Sequence, residues 1–156
     1  AFAGIGAPYW DQDAKGSIFG ITRGTTDAHI ARASLDAIAY QTMDILKAMQ
    51  TDSEIDIEEL RVDGGASVND MLMQFQSDVL NTTTVRPKTI ETTALGAAYL
   101  AGLAVGYWKD IEEIQTIWRE DVKFHPTGDQ ESIQNGIQGW YEAIDALKYW
   151  SKSQKQ

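Results

Sequence analysis

The chain contains no cysteine in its 156 residues. That absence excludes disulfides, thiolate metal sites and thiol nucleophiles, and it fits a reducing cytoplasm. No apolar run approaches the roughly 18–20 residues needed to cross a bilayer, and no charged-then-apolar leader opens the sequence, so a cytoplasmic location is expected. Positive charge is scarce: 13 Lys and Arg face 23 Asp and Glu, a formal charge of −10. Such a field repels phosphate backbones and anionic membranes, so neither nucleic acid nor a membrane is expected as a partner. Against these absences, a 43% hydrophobic and 10% aromatic composition is enough to build one domain with a core. The opening "AFAGIGAPYW" has neither an initiator Met nor the polar residues usual at a free terminus. It reads as the start of a fragment, although Met removal before Ala would also produce it.

Periodicity and punctuation predict short strands alternating with helices. Ala1 to Trp10 reads as a short strand entering a Gly/Pro loop, and Ser17 to Thr22 as a second strand. A long helix follows from the Thr25–Thr26 cap, with Ala28, Ala31, Leu35, Ile38, Thr42, Ile45 and Met49 spaced by threes and fours. After a polar connection, the apolar run Leu60–Val62 meets Gly64 and Gly65. A second helix is expected over Ser67 to Asn81, with Ser67 and Asp70 as a capping pair, Val68, Leu72, Phe75 and Val79 as core stripe, and Asn81 in the terminating left-handed position. Thr84 to Arg86 reads as a strand stopped by Pro87. The small-residue helix that follows is expected to be capped by Thr92 or Thr93 and to end at Gly106, and its lack of bulk permits close backbone approach. Asp110 and Glu113 cap a short helix carrying Ile111, Ile114 and Trp118. The last helix, about Asp129 to Tyr149, presents Ile133, Ile137, Trp140, Ile144 and Leu147. The pattern predicts an α/β layered fold.

The "VDGGASVND" junction is the candidate site. Two glycines between a strand and a helix remove two Cβ atoms and leave first-turn amides facing outward, so a nucleotide could rest on the main chain, with Asn69 reaching a purine edge or ribose. The competing reading is a tight turn that only admits the helix, since a Gly–Gly pair is much weaker than a full phosphate-loop signature. Elsewhere, His29 and His125 lack any visible nucleophile and carboxylate partners and read as solvated or structural. The acidic clusters at 52–59 and 110–113 lack calcium-loop spacing and read as solvated faces. Asp63 suits a turn cap better than a metal's water shell, and the five Trp suit core or subunit contacts.

The runs "GAPYWDQDAKGSIFGITRGTTDAHIARASLDAIAYQTMDIL", "LRVDGGASVNDMLMQFQSDVL" and "RPKTIETTALGAAYLAGLAVGYW" resemble, in that order, the carboxyl-terminal portion of the FGGY carbohydrate kinases. Gly16 to Asp36 is similar to the family's second signature, and "GAPYWD" with "ALGAAYLAGLAVG" is similar to the branch that phosphorylates glycerol rather than pentuloses. Departures are small: Asp36 stands where Glu is usual, and "SVND" replaces an "AVANN"-like run while keeping Asn69. The resemblance implies an actin-like ATPase fold of two RNase H-like domains. Residues 1–156 would be the later part of the second domain, with the amino-terminal domain absent. It implies ATP and ADP as ligands, with Gly65 and Asn69 as nucleotide contacts and Gly64 and Ala66 shaping the adenosine wall. It also implies glycerol and Mg held mainly by parts outside this chain, and no catalytic residue within it. The isolated chain would be inactive. Sheet edges left without neighbours would favour self-association, and a homo-oligomer is expected.

Overall fold

A computed structural model describes residues 4–154. The elements run α1 (Asp27–Ser53), β1 (Glu59–Arg61), α2 (Asp70–Leu80), β2 (Thr83–Pro87), α3 (Thr92–Ala104), α4 (Ile111–Gln115), β3 (Glu120–Phe124) and α5 (Gln130–Ser153). The sheet order is β1-β2-β3, with β1 parallel to β2 and β2 antiparallel to β3. A parallel pair cannot be joined by a hairpin, so the chain must cross over between β1 and β2, and α2 is that crossover. The layered α/β architecture expected from the sequence is therefore present, in a small sheet backed by helices.

α2 lies between the sheet and the two long helices. Leu72 and Met73 pack between Ala39 of α1 and Phe124 of β3, flanked by Val62, Phe75 and Val122. Towards α5, Val79 joins Met43, Ile133 and Ile137, with Tyr40 stacked on Trp140 at 5.6 Å and edge-on to Phe75 at 5.5 Å. Met43 is completely buried, and withdrawing such a side chain from water contributes about 1.5–3 kcal/mol.

Of the α1 stripe that spacing suggests, Leu35 packs against the core, but the fully buried residues of the helix lie off that stripe. Ala39, Met43 and Asp44 point inward, whereas Ile38, Ile45 and Met49 from the anticipated stripe are exposed. α1 carries two apolar seams. The seam that α2 and α5 cover is the one with small Ala39 for close approach and Asp44 for hydrogen bonding. Asp44 is only 3% exposed, and its Oδ2 accepts from the Tyr9 hydroxyl at 2.9 Å and the Trp140 indole N–H at 2.7 Å. One oxygen thus ties the amino-terminal loop, α1 and α5 together. Burial, and then the Asp44 carboxylate, push the Tyr9 phenol well above its usual pKa.

Several local expectations are corrected. Residues 4–10 form no strand but a loop closed by a single bridge between Ile5 and Asp11. The strand expected to begin at Ala1 lies, for its first three residues, outside the described part. Ser17 to Thr22 is extended coil: a strand needs a neighbour for its N–H and C=O groups, and none pairs with it among the described residues, leaving Ile18, Phe19 and Ile21 more than half exposed. β3 was not anticipated, because at an edge only Val122 and Phe124 of "EDVKF" turn inward. The third helix begins after Glu91, with no side-chain cap from Thr92 or Thr93. Asn81, at φ 51°, ends α2 in the left-handed region as expected.

Because both donors converge on one oxygen, Asp44→Asn can keep them and should cost less than about 1 kcal/mol, whereas Asp44→Ala strands two buried donors and should cost about 2–4 kcal/mol. Denaturant unfolding of the two variants beside the wild type checks the difference.

Candidate functional site

The glycine junction sits at the carboxyl end of β1, where an open α/β sheet presents its ligand-binding edge. Gly64 has φ 79° and ψ 174°, a region essentially closed to residues bearing a Cβ. Its glycine is demanded by the backbone. Gly65 is different: its φ is not positive, and a Cβ built there would meet nothing within 4 Å. Neither conformation nor packing in the described chain requires a glycine at 65, so the bare peptide there is a surface left open. Gly65–Val68 forms one 3-10 turn, and Ala66 is exposed beside Gly65. The N–H groups of Gly65 and Ala66 open that turn and have no acceptor among the described residues.

The turn is held from behind. The Gly64 N–H donates to the Ile90 carbonyl at 2.8 Å, and the buried Ser67 hydroxyl donates to the Gly64 carbonyl at 2.7 Å. Ser67 is therefore not the helix cap expected from the sequence. That role falls to Asn69, whose Oδ1 accepts from the Leu72 N–H at 3.0 Å, so α2 starts at Asp70 rather than Ser67. The reason is that the 3-10 turn uses residues 65–68, which leaves Asn69 as the first extended residue before the helix. Its Nδ2 has no acceptor among the described residues and remains a donor. The exposed Val68, assigned in the sequence to the core stripe, points instead to solvent beside this edge.

Electrostatics favour an uncharged moiety at this edge. Asp63, exposed beside the turn, would repel a phosphate placed there, while Asp70 on the other side is paired with Arg86 at 2.7 Å. A nucleoside, presenting ring edges and hydroxyls, meets free amide donors and no desolvated charge. The four residues singled out in the sequence, Gly64, Gly65, Ala66 and Asn69, are thus brought together on one edge.

One residue escaped the sequence reading. Arg86, on β2, has a side chain only 12% exposed and donates to the Ser67 carbonyl, to Asp70 and to Asp121. The Asp70 hydrogen bond, with help from Asp121, holds its pKa above the ordinary arginine value against the opposing effect of burial. An arginine within the otherwise apolar and hydroxylic "TTVRP" was the available signal, since a strand seldom encloses a charge without acceptors waiting for it.

The other candidates have local duties. The His29 ring accepts the Thr26 N–H at 3.1 Å and caps α1, and the His125 ring pairs with the Thr83 hydroxyl at 3.2 Å. Trp140 belongs to the core while Trp10 is exposed. Among the described residues no three His, Cys, Asp or Glu side chains come together as a metal site, and no helix is long and apolar enough to cross a membrane.

Residues 1–105 match the model of the FGGY family of carbohydrate kinases, C-terminal domain. The chain is 59% identical over 151 residues to a glycerol kinase of Burkholderia ambifaria and 60% identical over 151 residues to one of Paraburkholderia phytofirmans, covering 97% of this chain in each case. It spans about 30% of the length of these relatives. Its fold overlays the crystal structure of Plasmodium falciparum glycerol kinase with ADP at a TM-score of 0.81, with 38% identity over 94% of this chain and 29% of that one. A ligand-bound xylulose kinase from Lactobacillus acidophilus overlays at 0.77, with 26% identity over 91% of this chain and 29% of that one.

Asn69→Asp keeps an acceptor for the Leu72 N–H and should leave thermal stability near that of the wild type, while Asn69→Ala should lower it by about 0.5–2 kcal/mol. Equal melting temperatures for the two variants would rule the cap out.

Proposed function

Because this chain belongs to the FGGY family of carbohydrate kinases, we propose that it is the carboxyl-terminal part of a glycerol kinase, spanning residues 1–156 of the second domain's later portion, and that it supplies the wall on which adenosine rests. The parent reaction breaks the bond between the γ-phosphorus of ATP and its β–γ bridging oxygen and forms a new one to a terminal glycerol oxygen. The products are glycerol 3-phosphate and ADP, and the hydroxyl proton passes to a carboxylate outside this chain. Such transfer depends on positioning and charge neutralisation at the γ-phosphate. This chain acts far from the reacting atoms: it fixes the nucleoside end, so that binding energy gathered there is available for orientation at the other end.

The observation that carries the reading is Gly65, a glycine that neither its own backbone nor its neighbours require, with two free amides and the Asn69 donor beside it. ATP fits this edge by its uncharged adenosine. We place magnesium with residues outside the chain, as we do glycerol. The separation of catalytic groups from the adenosine wall implies that this chain alone does not turn over. Absence of cysteine supports a cytoplasmic setting, and the exposed apolar residues of α1 and of the segment 18–21 support assembly with further protein, including a homo-oligomer.

In the complete enzyme, Gly65→Val should raise the KM for ATP at least tenfold, roughly 1.4 kcal/mol or more of lost nucleotide binding, with the KM for glycerol little changed. Calorimetric titration with ADP provides a check free of turnover. Unchanged nucleotide affinity would sink the wall, and faster phosphorylation of a pentulose than of glycerol would move the parent to a sibling kinase.

A further inference from the structure

We propose that Arg86 is a positioning residue for the nucleotide site: its guanidinium, reaching from β2, sets where the glycine turn and the start of α2 stand, and so where adenosine can lie. This rests on the reading of the turn as the adenosine wall, and it concerns a residue that does not itself line the open edge.

The geometry is specific. Nη1 donates to the Ser67 carbonyl at 2.9 Å and to Asp70 Oδ1 at 2.7 Å, while Nε donates to Asp121 Oδ2 on β3 at 3.0 Å. Ser67 belongs to the turn that begins at Gly65, and Asp70 follows Asn69 directly. One planar group therefore fastens the nucleoside-facing turn and the helix start to two strands of the sheet. The guanidinium lies over the Phe124 ring at 5.6 Å, which fixes its plane. Downstream of β2, the Ile90 carbonyl takes the Gly64 N–H, so β2 and its exit hold the turn at both ends. Among the described residues, no other side chain ties the Gly64–Ser67 turn to the sheet.

Chemistry singles out arginine. Three acceptors on three elements need divergent N–H donors held in one rigid plane, which a guanidinium supplies and an ammonium on a flexible stem does not. Lysine at 86 would conserve charge and still neutralise Asp70, but it would lose the simultaneous contacts. A misplacement of about 1 Å at a binding edge is enough to weaken a well-aligned complex strongly.

The test uses the complete kinase and three variants: Arg86→Lys, which removes the fork but keeps the charge; Asp121→Asn, which weakens only the rear anchor; and Arg86→Met, which removes both. Wild-type ADP binding is measured first by calorimetry. If the wild type does not bind ADP, the wall reading fails and this proposal falls with it. If it binds, Arg86→Lys should weaken ADP and raise the KM for ATP about 5–30-fold, with the KM for glycerol within about twofold. Asp121→Asn should fall between wild type and Arg86→Lys. Equal increases in both KM values, or a lowered melting temperature with ADP affinity intact in Arg86→Lys and Asp121→Asn, would leave Arg86 a stabilising ion pair and overturn the proposal while sparing the wall. Should Arg86→Met fail to fold, the two milder variants still decide.

Discussion

The parallel pairing of β1 with β2 is the constraint on which the remaining structure depends. Antiparallel strands could close through a two-residue turn, but parallel ones require the chain to return to the same end of the sheet. The return path here is α2, so the polypeptide must leave the carboxyl end of β1 sharply and enter a helix within a few residues. Gly64, in a conformation that a side chain would obstruct, makes that departure possible. The open edge at Gly65 and Ala66 is a by-product of the same crossover, and it is also the edge we propose for the nucleoside. Sheet topology, the position of the site and the need for glycine are one fact seen at three scales.

Holding such an edge in place takes more than the turn itself. The crossover helix is buried between the sheet and α1 and α5, so its long axis is set by apolar packing around Leu72, Met73 and Val79. Its beginning is not, because the residues there face water. Polar contacts do that work: the Asn69 cap, the Ser67 hydroxyl on the Gly64 carbonyl, and Arg86 behind them. The division is physically sensible. Apolar burial is strong but nondirectional, whereas hydrogen bonds contribute little net energy and fix atoms to within tenths of an ångström.

Surfaces left apolar tell a related story. The segment 18–21 and the outer seam of α1 present Ile18, Phe19, Ile21, Ile38, Ile45 and Met49 to solvent. The chain spans about 30% of the length of its relatives, and exposed apolar faces of this kind are where further protein would pack. Ser17 to Thr22, with the composition of a strand, is coil because no strand pairs with it among the described residues. β character in a short segment is a statement about partners, and its propensity alone cannot supply the hydrogen bonds.

Much was legible in the residues themselves. Helix α5, the left-handed Asn81, and the glycine junction ahead of α2 follow from local rules: spacing, capping chemistry and the exclusion of Cβ from certain backbone angles. The resemblance of the whole to the FGGY kinases was likewise present in the order of its motifs. Tertiary structure alone decided which seam of α1 is buried, that Asn69 rather than Ser67 caps α2, that 120–124 is an edge strand, and that Arg86 stands behind the turn. All but the cap depend on groups distant in sequence, as Arg86 is from Ser67, while the cap turns on where the local 3-10 turn ends. A one-dimensional pattern records which side chains could satisfy a neighbour, but only the folded chain determines which neighbour arrives.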